Sequence, residues 1–219
     1  MTESRLREEI CRVGRSLFER GYVHATAGNI SVRLDDGFLI TPTDACLGFL
    51  RPETLARVDR DGRQVSGAPA SKTLVLHRRI YEAHAAAAAP RCIIHTHSTH
   101  CVALTLADPA GELLPAITPY FVMKVGHVPI VPYHRPGAPE AADAVAALIA
   151  RYDGQGTPLR AVMLTRLGPN VWHDSPAQAM AVLEELEETA KLWLLSDPKP
   201  PPLGPEALDQ LHVAFGARW

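Results

Sequence analysis

The chain has no excess of basic residues: 22 Lys and Arg stand against 24 Asp and Glu, a formal net charge of −2 over 219 residues. Charge alone therefore gives it no hold on a phosphate polymer or an anionic bilayer, which argues against nucleic-acid and membrane partners. It also lacks any apolar run near the roughly 18–20 residues that a bilayer span needs. Its start, Met1 to Glu9, carries charges of both signs rather than a signal-like apolar stretch. A cytoplasmic location is the expectation. CxxC spacing is absent among the four cysteines, Cys11, Cys46, Cys92 and Cys101, and a chain this long can bury a core without disulfides, so they read as reduced packing residues. No internal repeat is present. What the chain does have is ten histidines, and histidine is both the usual neutral metal ligand and the side chain that titrates near pH 7.

Apolar spacing predicts a first helix over Ser4 to Arg20, with Leu6, Ile10, Val13, Leu17 and Phe18 inward and Gly21 at its end. Gly28 to Leu34 and Phe38 to Pro42 flank Asp35-Asp36-Gly37 as a β-hairpin, and Ala56 to Val58 turns back through Arg60 to Arg63 onto Gln64-Val65. A helix is expected from Ser71, as its cap, to its stop at Pro90. Cys92 to His97 reads as a buried strand, with a helical turn from Ser98. Prolines then divide the middle of the chain into loops and short strands, Val128 to Val131 being the clearest. Glu140 to Arg151 is an alanine-rich helix, and Ala161 to Leu164 and Asn170 to Trp172 are two strands around a Gly-Pro pair. Ser175-Pro176 starts a last long helix, whose Glu184, Glu185, Glu187 and Glu188 are expected to face solvent. Residues 1–195 thus read as one domain. Residues 196–219 read as a proline-rich linker and a terminal helix that docks on its own body or on a neighbouring subunit. Hairpins mixed with crossovers point to an α/β or α+β sandwich.

Two groups of residues carry chemistry. His95 and His97 are two apart in a strand, which puts both imidazoles on one face where they can share a metal ion or act on a substrate. Thr26, Gly28 and Asn29 in one turn, Thr43 at a strand end, and Ser71-Lys72 at a helix start offer the hydroxyls, backbone N–H groups and positive charge that a phosphate or carboxylate needs. His24, His77, His84, His173 and His212 read as structural or surface residues.

Gly28-Asn29-Ile30-Ser31, Ile40-Thr41-Pro42-Thr43, Ser71-Lys72 and His95-Thr96-His97-Ser98-Thr99-His100, in this order, resemble the class II aldolase/adducin family. Within it, Leu47-Gly48-Phe49-Leu50, Thr118-Pro119-Tyr120 and the acidic run from Glu184 to Lys191 are most similar to the 3-oxo-tetronate 4-phosphate decarboxylase branch. The resemblance implies an αβα sandwich with a central mixed, mostly antiparallel sheet. It also implies a homotetramer with sites between subunits, and a divalent metal, usually zinc, that polarises a ketone so that an enolate forms. It puts Gly28, Asn29, Thr43 and Ser71 at the phosphate, with Thr26 and Lys72 beside them, makes His95 and His97 metal ligands, and sends Tyr120 toward a neighbouring site. Two positions depart from the pattern: Thr73 stands where the family has its catalytic Glu, and Leu167 where it has the third metal His. His100, His127 and His134 are the candidates for a replacement ligand or proton donor, His134 first, and Arg166 is a candidate for positive charge in place of the metal. The expected function is carbon–carbon lyase chemistry, decarboxylase or aldolase type, on a small anionic oxo-acid or sugar phosphate. The alternative is a family member with weakened or lost metal binding that no longer performs it.

Overall fold

The computed structural model describes residues 2–84, 89–107 and 111–219. Its frame is an eight-stranded sheet in the order β4-β3-β2-β1-β5-β8-β7-β6. The strands are β1 (Asn29–Leu34), β2 (Gly37–Ile40), β3 (Ala56–Asp59), β4 (Gln64–Ser66), β5 (Cys92–His95), β6 (Ile130–Val131), β7 (Ala161–Leu164) and β8 (Gly168–His173). Every pairing is antiparallel except β6 with β7. The helices are α1 (Glu3–Glu19), α2 (Leu74–Ala83), α3 (Thr99–Leu104), α4 (Pro139–Gly154), α5 (Pro176–Leu195) and α6 (Pro205–Phe215).

Strand alternation divides the helices between the two faces. Ile30 and Val32 of β1, Cys92 and Ile94 of β5 and Val171 of β8 pack with Ile10 and Leu17 of α1, Cys101 of α3 and Leu183 and Leu186 of α5. Ile93, Val162 and Trp172 pack instead with Ile80 and Tyr81 of α2 and with Val145 and Ile149 of α4. The αβα sandwich with a mixed, mostly antiparallel sheet is therefore realised. Among the described residues no helix is long and apolar enough to cross a membrane.

Several details differ from the sequence reading. The hairpin loop is Asp35-Asp36, with Gly37 already paired to Leu34. Ser71 does not cap α2: its hydroxyl meets Thr73 Oγ1 at 2.8 Å in a turn that precedes the helix. α2 ends at Ala83, with His84 extended beyond it, and residues 85–88 of the expected helix lie outside the described residues. A π-helix at Phe121–Val125 had no sequence signal. The C-terminal segment returns to its own body at Trp219, which stacks on His127 at 4.5 Å between centroids, while Val213 and Phe215 of α6 stay exposed.

The acidic run of α5 is not a solvated face. Glu187 is buried and accepts the backbone N–H groups of His100 at 2.9 Å and Cys101 at 3.0 Å, with His100 Nδ1 at 2.8 Å. It thus caps α3, whose own Ser98 makes no side-chain cap. Glu188 accepts from the Tyr22 hydroxyl and Glu184 pairs with Arg20, tying α5 to the end of α1. Glu187→Ala leaves the buried Cys101 N–H and the part-buried His100 N–H without an acceptor and is expected to cost about 2–3 kcal/mol, read as a lower urea midpoint at an unchanged m-value.

Candidate active site

The site forms where β5 ends. The register sets Asn29 of β1 and Asn170 of β8 on either side of His95, so the three side chains make one row across the sheet on the α2/α4 face. The chain then leaves the ladder through Thr96 and His97. Two glycines allow this: a Cβ at Gly28 would meet His95 O at 2.9 Å, and one at Gly168 would meet Thr96 O at 1.9 Å. Both have positive φ, +85° and +136°, which glycine adopts at little steric cost. His97 lies past the strand, so the alternation expected to align it with His95 does not apply. The turn brings the rings together instead, with centroids 5.1 Å apart and planes at 70°.

Above this row is a cavity of about 580 Å³, walled by the approach to α2 (Ser71, Lys72, Thr73, Leu76) and by the loop into α4 (Arg135 to Pro139). Thr26, Gly28, Asn29, Thr43, Asp44, His95, His97, Leu167 and Asn170 are also in its lining. All six expected anion-binding residues are thus in one cavity with both histidines. α2 and α4 both start at its rim, so their positive dipole ends favour a bound anion, as do Lys72 and Arg135. Three non-glycine residues in the left-handed region sit in or beside the lining: Ala25 (φ 46°) before Thr26, Asp44 (φ 53°), and Arg166 (φ 63°) before Leu167. Such backbone strain costs about 1–2 kcal/mol per residue and tends to collect at functional sites.

His95 Nδ1 lies 3.0 Å from Pro169 O. A carbonyl only accepts, so Nδ1 carries the proton and donates, and Nε2 keeps a lone pair. Burial, then His97, pushes the His95 pKa down to about 4 against the lesser opposing effect of that carbonyl. His97 is also lowered, by burial and then by His24. His24, read from sequence as peripheral, lies 6.5 Å from His97 between ring centroids. Beneath the site, buried His77 meets Ser31 Oγ at 2.7 Å through Nδ1, and burial, then His95, pushes its pKa down to about 3. His77, His95 and His97 are therefore neutral at pH 7.

Among the described residues no three His, Cys, Asp or Glu side chains converge as a metal set. Thr73 and Leu167 line the cavity but bring neither a carboxylate nor an imidazole. Two imidazoles fall short of the three protein ligands a catalytic zinc takes, so the donor set does not fit that ion. None of the reserve histidines joins the lining. His100 is held by Glu187, His127 lies between Tyr152 and Trp219, and His134 is next to Arg135 but outside the wall. Tyr120 is 62% exposed on the surface. Arg166 sends its guanidinium to Leu106 O at 3.2 Å rather than into the cavity. Sequence reasoning missed Asn170 and Arg135. The available signal for Asn170 was a polar residue between Pro169 and the apolar pair Val171-Trp172.

Residues 8–194 match the model of the class II aldolase and adducin N-terminal domain. The chain belongs to the class II aldolase and adducin family. It is 55% identical to the 3-oxo-tetronate 4-phosphate decarboxylase of Cupriavidus necator over 229 aligned positions, covering 100% of this chain and 99% of that one. The crystal structure of YgbL from Klebsiella pneumoniae superposes with a TM-score of 0.86 at 40% identity, covering 96% and 99% of the two chains. L-fuculose-1-phosphate aldolase from Thermus thermophilus superposes with a TM-score of 0.73 at 29% identity, covering 91% and 99%. The αβα sheet described above is this family's fold, and His95, His97 and the anion wall lie within the matched span.

His77 and His95 have folded-state pKa values of about 3 and about 4, below the usual 6.5. As pH falls from 6.5 the unfolded chain takes up their protons first, so their contribution is complete above that pH and is lost down to about pH 4 for His95 and about pH 3 for His77. The expected slope is about 1.4 kcal/mol per pH unit for each histidine. Denaturant unfolding at pH 4.5, 5.5 and 7 measures it, and His77→Gln is expected to reduce it by one proton's share.

Proposed function

We propose that this chain is a carbon–carbon lyase that decarboxylates a small phosphorylated 3-oxo acid, as the name of the Cupriavidus necator relative says of that protein, and that the reaction runs through an enolate. The observation that carries the reading is the single cavity holding both the anion wall and the pair His95/His97. Ser71, Thr43, the Gly28–Asn29 backbone and Lys72 hold the phosphate at the start of α2. The carboxylate then lies toward the histidines. Its C–C bond breaks, CO₂ leaves, and the bonding pair becomes the enolate double bond as the carbonyl pair moves onto oxygen. A proton from solvent ends the cycle. His95, with its Nε2 lone pair, accepts from a substrate hydroxyl, and His97 donates to the oxygen that gains charge. Loss of CO₂ needs no strong base, so Thr73 in place of a carboxylate does not block it.

The family's divalent metal, zinc in the usual case, supplies Lewis acidity when bound. Among the described residues it has only His95 and His97 to hold it, and no step above depends on it. That Thr73 and Leu167 line the same cavity supports the view that they occupy the family's Glu and His positions. A homotetramer in the cytoplasm completes the proposal. Exposed Tyr120 and the bare apolar residues Val213 and Phe215 of α6 support contact with a neighbouring subunit, as does the position of His134 beside the wall.

The direct test is CO₂ release from 3-oxo-tetronate 4-phosphate by purified protein, and absence of release would overturn the proposal. Lys72→Ala is expected to raise KM about tenfold with kcat changed less, since a lost charged contact to phosphate is worth about 1.4 kcal/mol. Dialysis against EDTA is expected to leave turnover within about twofold, because two imidazoles hold a metal too weakly for turnover to rest on it. A loss of more than tenfold that zinc restores would instead mean that another donor completes the set.

A further inference from the structure

The described residues have few buried side-chain polar atoms without a hydrogen-bond partner, and most lie around His95. They are Asn29 Oδ1, His77 Nε2, both Nδ2 and Oδ1 of Asn170, and, elsewhere, His127 Nδ1. Other buried polar side chains are bonded: Thr41 accepts from Ile30 N–H, Thr96 pairs with Ser98, and Thr165 donates to Val131 O. Asn170 is the extreme case, 0% exposed with both ends of its amide unpaired, on a sheet face where apolar Val162 of β7 and Trp172 of β8 adjoin the His95 row. Burying an amide without a partner works against folding. A residue kept for stability alone would be apolar there.

Resting on the lyase reading above, we propose that the Asn170 carboxamide is the group that recognises the oxo function of the substrate, with the Asn29 amide across His95 as its counterpart. A carboxamide presents one donor edge and one acceptor edge and carries no charge. It therefore matches a ketone beside a hydroxyl: Nδ2–H donates to the carbonyl oxygen and Oδ1 accepts from the hydroxyl. The ligand class is a phosphorylated hydroxyketone or hydroxy-oxo acid, its phosphate at Ser71 and Lys72 and its carbonyl at the sheet row. The amide already lies below the water-accessible surface, so no water is stripped from it on binding. Asn170 is among the residues that line the cavity. As charge moves onto the carbonyl oxygen the Nδ2–H contact strengthens, which makes Asn170 a neutral, preorganised oxyanion donor where a metal would otherwise serve.

The test compares two ligands with the same phosphate, dihydroxyacetone phosphate and glycerol 3-phosphate, which differ in having a ketone or a hydroxyl, with inorganic phosphate as the tail alone. Calorimetry on the wild-type protein is expected to give about tenfold tighter binding of the ketone. Asn170→Leu, close in size, is expected to abolish that preference, leave phosphate affinity within twofold, and raise Tm by about 3 °C because the unpaired atoms are gone. Asn170→Asp is expected to weaken ketone binding by about a hundredfold, as a second carboxylate acceptor replaces the donor. A preference that survives in Asn170→Leu, or a lower Tm in that variant, would overturn the assignment. The two readings fail separately. Ketone preference lost with Asn170 but no CO₂ release in the wild type sinks the lyase and keeps the recognition. CO₂ release with kcat unchanged in Asn170→Leu, against an expected loss of about 10²-fold, sinks the recognition and keeps the lyase.

Discussion

The four residues Cys92–His95 are hydrogen-bonded to β1 on one side and β8 on the other, and the site inherits its geometry from that double pairing. Cys92 and Ile94 face α1, α3 and α5, whereas Ile93 and His95 face α2 and α4. A one-residue slip would carry His95 into the opposite core and Ile94 into the cavity. Burial of the strand on both faces removes that freedom. It also sets Asn29 and Asn170 beside the histidine, because antiparallel neighbours directly opposite each other point the same way.

Around that row the chain accepts several unfavourable local arrangements. The amides are unpaired, three non-glycine residues adopt left-handed backbone, and the imidazoles are held neutral by burial. Each opposes folding, and the two large cores around α1/α5 and α2/α4 offset them. This is the distribution expected when a scaffold is optimised for packing and a cavity for ligand contact.

Most of the fold was legible from periodicity and punctuation. The amphipathic spacing in α1, the Ser-Pro start of α5 and the turn before β4 are local signals, and the structure agrees with them to within a few residues. The anion residues were legible as well, since Gly28-Asn29, Thr43 and Ser71-Lys72 are turn and helix-start chemistry wherever they occur. What escaped was set by contacts distant in sequence. Glu187 looks like one of four acids on a helix surface, and only the packing of α3 against α5 makes it a cap 87 residues from its partner His100. His24 nears His97 only because the α1–β1 turn folds over the end of β5. Asn170 gave a weak local signal, a polar residue in an apolar strand, whose meaning depended on what β5 places opposite it.

The hydrogen bond from His95 Nδ1 to the carbonyl of Pro169 has a consequence for how this site can change over time. Its acceptor belongs to the main chain of β8, so no side-chain replacement at position 169 deletes it, and it persists as long as β5 and β8 remain paired. The tautomer of the imidazole is therefore inherited with the fold rather than with the surrounding residues. Positions such as Thr73 and Leu167 can vary around a lone pair whose direction stays fixed, so the same architecture can try new neighbours for that nitrogen without rebuilding the sheet that aims it.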